Sequence, residues 1–158
     1  MQILVDADSC PRAAREMVLR FSARLGIKSV FAANRPIPGL PETATMELCP
    51  SVEGAADKRI VELAGPEDLV LTRDIPLAEQ LVDLNVTVLD DRGRVFTKEN
   101  IHTLRSLRDF TVSLAGNGLE YERAPSYGKK ELNDLANALD RELTRLRKRS
   151  TNGKVDDV

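Results

Sequence analysis

Apolar positions along the chain fall into two alternating kinds of run. The first kind is short with little polar interruption: "ILV" at 3–5, "IKSVFAA" at 27–33, "DLVLT" at 68–72 and "VTVLD" at 86–90. "TATMELC" at 43–49 is a weaker, mixed member of the set. Apolar runs of this length predict strands buried on both faces. The second kind has helical spacing. Ala14, Met17, Val18, Phe21 and Leu25 follow Pro11, which suits a first helical turn, and Gly26 suits its stop. "GAADKRIVEL" from Gly54 to Leu63, closed by Gly65-Pro66, predicts a second helix, and "IPLAEQLVDL" from Ile75 a third. A fourth is expected from Lys98 to Ala115, with Thr97 as cap and Gly116 as stop. The last, over 129–149, puts Leu132, Leu135, Ala136, Leu139, Leu143 and Leu146 on one stripe.

Strands alternating with helices predict a parallel sheet with right-handed crossovers. The expected architecture is an α/β three-layer sandwich with a mostly parallel sheet of about four or five strands. A chain of 158 residues suits one core. A single domain is therefore expected over 1–149, with 150–158 as a polar, disordered tail.

Composition removes several function classes. Lys and Arg total 23 against 25 Asp and Glu, so no global basic field exists. Trp is absent and aromatics make up 4%, which argues against rows of base-stacking rings. The basic run "RELTRLRKR" from 141 reads as a solvated helix face. The leucine stripe beside it packs on its own domain or forms a homodimer seam. Cys10 and Cys49 are too few for a disulfide framework, and neither has metal-ligand spacing. Neither a signal peptide nor an apolar run of the ~20 residues that cross a bilayer is visible, so a cytoplasmic protein without a membrane partner is expected.

Candidate chemistry gathers at the strand ends, where open parallel sheets bind ligands. Asp6 and Asp8 end the first strand, and Asn34 and Arg35 the second. Thr72, Arg73 and Asp74 end "DLVLT", Asp90 and Asp91 end "VTVL", and Asp57 lies in a first helical turn. Simpler roles compete. Asp8 and Asp74 are placed to cap the helices that follow them, and Asp90-Asp91 before Arg92-Gly93 suits a turn. Asp6 differs, because a carboxylate closing a buried strand needs a partner and its acidic neighbours repel it. A divalent cation resolves that repulsion, and Mg²⁺ or Mn²⁺ prefers such oxygen ligands. Bound ions of this kind activate water and neutralise charge in phosphoryl displacement.

Several strings also resemble one family: "VDADSCP" at 5–11, "AANR" at 32–35, "AAD" at 55–57, "TRDIPLA" at 72–78, "RG" at 92–93 and "LRDF" at 107–110. They occur in the order seen in the bacterial YaiI/YqxD family, whose fold is grouped with the PIN-like nucleases. The resemblance covers about residues 2–115 and fades beyond. It implies a PIN-like α/β domain with an acidic site for divalent metal at Asp6, Asp8, Asp57 and Asp74. Two positions depart from the family pattern. Gly54 stands where an additional aspartate is often found, and "RAP" at 123–125 replaces a Gly-Gly-Pro segment.

Three readings follow. In the first, the protein is a metal-dependent phosphodiesterase acting on RNA or single-stranded nucleic acid. Its metal would be held by Asp6, Asp8, Asp57 and Asp74, its phosphates by Asn34, Arg35, Arg73 and Arg92. In the second it is a non-catalytic nucleic-acid or protein binding module with a weakened site. The third is a haloacid-dehalogenase-like phosphatase with Asp6 as nucleophile. Against it, Pro11 starts a helix at once and no lysine lies between Lys58 and Lys98.

Overall fold

The computed structural model describes residues 1–118 and 126–155, so the "RAP" segment and residues 156–158 lie outside the described residues. β1 (Gln2–Asp6) leads through a 3-10 turn, Ala7–Ser9, into α1 (Arg12–Leu25). Then come β2 (Lys28–Ala33), β3 (Ala44–Leu48), α2 (Ala55–Leu63), β4 (Leu69–Leu71), α3 (Ile75–Asp83) and β5 (Thr87–Leu89). β6 (Val95–Phe96), α4 (Ile101–Gly116) and α5 (Lys129–Val155) complete the order.

The sheet runs β3-β2-β1-β4-β5-β6, parallel except for the antiparallel β5–β6 pair. Chain order reverses between β1 and β4, which makes the carboxyl edge beside them a switch point. Side chains alternate across the sheet. Ile3 and Val5 enter one core with α1 and α5, whereas Leu4 and Val70 enter the other with α2, α3 and α4. Helices therefore cover both faces, as the wholly apolar strands require.

Three boundaries differ from expectation. The sheet has a sixth strand, β6, whose two residues carry no readable periodicity. α4 starts at Ile101, because Thr97 and Asn100 close a turn ahead of it. Thr97 Oγ1 accepts from the Asn100 N–H at 3.1 Å, and Asn100 Oδ1 accepts from the Thr97 N–H at 2.8 Å. α5 continues to Val155, into the segment expected as a polar tail. Its stripe residues Leu135, Leu139, Leu143 and Leu146 are buried in the domain's own core. Among the described residues no helix is long and apolar enough to cross a membrane.

Candidate functional site

Asp6 is the last residue of β1 and is only 5% exposed. The parallel register pairs Val5 with Leu71, which sets Thr72 beside it. Thr72 Oγ1 donates to Asp6 Oδ2 at 2.8 Å, and Ser9 Oγ donates to the same oxygen at 3.0 Å. Among the described residues no hydrogen bond reaches Oδ1. Burial raises the Asp6 pKa; the two hydroxyls oppose that shift, and the charges of Asp74 and Asp8 add to it.

Asp74 is the N-cap of α3, and its Oδ1 accepts from the Leu77 N–H at 3.0 Å. Capping leaves it in the cleft, where it meets Asp57 from the first turn of α2. Burial, then the charges of Asp74 and Asp6 and a hydrogen bond with Asp74, push the Asp57 pKa up to about 6. Asp8 does not cap α1. It is exposed, and its Oδ2 accepts from the Asn34 N–H at 3.1 Å, which ties the end of β1 to that of β2.

Asp6, Asp8, Asn34, Asp57, Arg73 and Asp74 together line one cleft of about 440 Å³. Its other wall is the loop from Pro50 to Gly54. Gly54 precedes α2 with φ 78°, a left-handed conformation that favours glycine. None of the four aspartates makes an ion pair among the described residues. Arg73, which lines the same cleft, is paired with Asp91 instead: its Nε donates to Asp91 Oδ2 at 2.6 Å, and Asp91 is buried. Asp91 is held in turn by Tyr127, whose hydroxyl donates to the Asp91 carbonyl at 2.7 Å.

Two predicted phosphate contacts lie outside this cleft. Arg35 lines an adjoining groove that shares Asp8 with it. Arg92 pairs with Glu131 at 3.5 Å and lines a groove against α5. Sequence reasoning missed the roles of Ser9 and Asp91; Ser9 lies three residues after Asp6, a spacing that suits a local hydroxyl-to-carboxylate contact. Cys10 is a packed side chain, its thiol pushed up to about 12 by burial first and by Asp91 second.

A model described as "Uncharacterized BCR, YaiI/YqxD family" matches residues 4–145. The chain belongs to the YaiI/YqxD family. Its similarity extends through α4 and into α5, past the point where the short strings fade. A relative named "UPF0178 protein" from Treponema denticola is 46% identical over 140 residues, 89% of this chain and 90% of its own length. Its namesake from Treponema pallidum is 45% identical over 148 residues, 92% and 83% of the two chains. Another from Myxococcus xanthus is 41% identical over 148 residues, 92% and 96%. No solved structure gives a significant match.

The raised acid has a measurable consequence. A carboxyl whose folded pKa lies above its unfolded value favours the folded state most when protonated. The Asp57 contribution is therefore fully present below pH 3.8 and is lost as pH rises through about 6. Side-chain carbon NMR should find Asp57 titrating near pH 6 in wild type and lower in Asp74→Asn. An Asp57 midpoint unchanged by Asp74→Asn would contradict the contact between them.

Proposed function

We propose that the protein is a divalent-metal-dependent phosphodiesterase that cleaves RNA or single-stranded nucleic acid at the strand-end cleft. The observation that supports this reading most is uncompensated charge. Carboxylates from three separate elements, Asp6, Asp57 and Asp74, repel one another in one cleft with no basic partner among the described residues. Keeping such a cluster costs stability, a trade expected where function requires it.

Among the described residues no group of three or more His, Cys, Asp or Glu forms a ready-made metal cage. Mg²⁺ seldom uses one. It is held through one or two carboxylates, with waters and substrate phosphates completing the octahedron. Two all-oxygen donors, Asp6 and Asp74 at the ends of β1 and β4, fit that mode, with Asp57 and Asp8 lining the same cleft. When bound, Mg²⁺ or Mn²⁺ would lower the pKa of water and neutralise charge on phosphate oxygens.

The chain's own residues supply the rest. Thr72 and Ser9 fix Asp6 through one oxygen and leave the other for a ligand. Asp57, in the first turn of α2 and facing the same cleft, would ligate a second ion or orient the attacking water. The Asn34 N–H holds Asp8 on the β2 side, and Arg73 meets phosphate oxygens at the rim. We assign the work to the cytoplasm, where the unpaired thiols Cys10 and Cys49 stay reduced.

Incubating the protein with a labelled single-stranded RNA and Mn²⁺, Mg²⁺ or EDTA tests the proposal. Cleavage with the ions and none with EDTA is expected. RNA binding without cleavage under every condition would favour the binding-module reading instead.

A further inference from the structure

The acidic cleft occupies the ends of β1 and β4, and a second groove of about 450 Å³ lies at the end of β5 on the same sheet edge. At a strand spacing of about 4.8 Å, β5 stands roughly 10 Å from β1. One wall of this groove is the β5–β6 turn at Asp90 and Arg92 to Arg94; the other is α5 at Asp134, Asn137, Ala138 and Arg141. Backbone meets backbone between them. A Cβ on Gly93 would stand 2.4 Å from the Asp134 carbonyl oxygen, so the walls are fixed relative to each other.

The lining holds three arginines and two carboxylates, and both carboxylates are engaged. Asp90 Oδ1 accepts from the N–H groups of Arg92 and Arg94 at 2.9 and 2.8 Å. Asp134 pairs with Lys130 at 3.6 Å. Of the arginines, Arg92 reaches Glu131, and Arg141 is a loose 3.6 Å from Glu142. Arg94 is exposed and makes no ion pair among the described residues. Its charge is felt by Asp90, whose Oδ1 is already taken by two backbone N–H groups. The exposed Arg94 guanidinium, next to the Asn137 amide, suits phosphate oxygens.

We propose that this groove is a phosphate subsite, formed by Arg94, Asn137 and Arg141, that holds polynucleotide flanking the bond in the acidic cleft. That the phosphate belongs to the substrate rests on the nuclease reading. Arg35 at the end of β2 flanks the acids on the opposite side. A single strand laid across the strand ends therefore meets arginine, then carboxylates, then arginine. This order suits cleavage inside a chain rather than removal of a terminal phosphate.

Fluorescence anisotropy in EDTA, where turnover cannot consume the probe, reads the subsite directly. The probes are a single-stranded dodecanucleotide, a dinucleotide and, as competitor, inorganic phosphate. For R94A/R141A, affinity for the dodecanucleotide should fall roughly tenfold at low salt. Its log–log salt slope should shrink by about 0.7 per lost contact. The dinucleotide, too short to span both sites, should be little affected. Unchanged dodecanucleotide affinity and slope in the double variant would overturn the subsite, even if wild type cleaves RNA. An equal loss for inorganic phosphate and dodecanucleotide, without length dependence, would make it a free-anion site and also overturn the proposal. Conversely, the expected binding loss in a protein that cleaves nothing would uphold the subsite and defeat the nuclease reading.

Discussion

Asp6→Asn is expected to reduce Mn²⁺-dependent cleavage of single-stranded RNA on the order of 10²-fold or more, while the melting temperature holds or rises. The loss follows from removing the charge at the centre of the cluster, where electrostatic stabilisation of developing charge is strongest. The stability result follows from burial. Asp6 is almost wholly enclosed, and its raised pKa means that ionising it in the fold costs more than ionising it in the open chain. An asparagine keeps an oxygen to accept from Thr72 and Ser9 and no longer repels Asp74 and Asp8. Because the Asp6 penalty applies only when it is ionised, the gain in Asp6→Asn should grow with pH above 3.8. Activity assays beside thermal unfolding at two pH values check both halves. Lost activity with a lowered melting temperature at both values would instead make Asp6 a structural acid.

Gly93→Ala is expected to destabilise the fold by about 2–5 kcal/mol, combining a left-handed backbone cost of about 1–2 with overpacking of about 1–3. The residue sits at φ 84°, and an added Cβ would lie 2.4 Å from the Asp134 carbonyl oxygen and 2.7 Å from its carbon. Those atoms belong to the backbone of α5, which Leu135, Leu139 and Leu143 anchor in the core, so neither side can yield cheaply. For a chain of this size the melting temperature should fall roughly 4–20 °C. Gly26→Ala provides the comparison, because Gly26 has φ 65° but nothing within 4 Å of its Cβ position. It should incur the backbone cost alone. Equal losses in the two variants would show that the turn does not press on α5.

The legible parts of the molecule are those in which a local pattern and its long-range consequence coincide. Apolar runs at 3–5 and 68–72 had to be central strands, and a parallel sheet brings their ends to one edge. The sequence therefore places Asp6 and Asp74 together. Asp57 was legible because the first turn of α2 points back at that edge. Asp74 shows that capping and cleft membership are not alternatives, since one oxygen caps α3 while the group still meets Asp57. The arginines were harder, for their side chains are long and their partners distant in sequence. Arg73 is drawn to Asp91 and Arg92 to Glu131, and no spacing rule anticipates either pair. β6 escaped notice because two residues cannot display a period. The cause of the raised acids also differs from a simple like-charge account: burial comes first and neighbouring carboxylates second, for both Asp6 and Asp57.

Anomalous diffraction from crystals equilibrated with Mn²⁺ tests the central claim most directly. The claim predicts a peak in the strand-end cleft within about 2.0–2.2 Å of carboxylate oxygens of Asp6 and Asp74, lost in Asp6→Asn crystals. A wild-type cleft without a peak at millimolar Mn²⁺, its aspartates still in mutual contact, would contradict it.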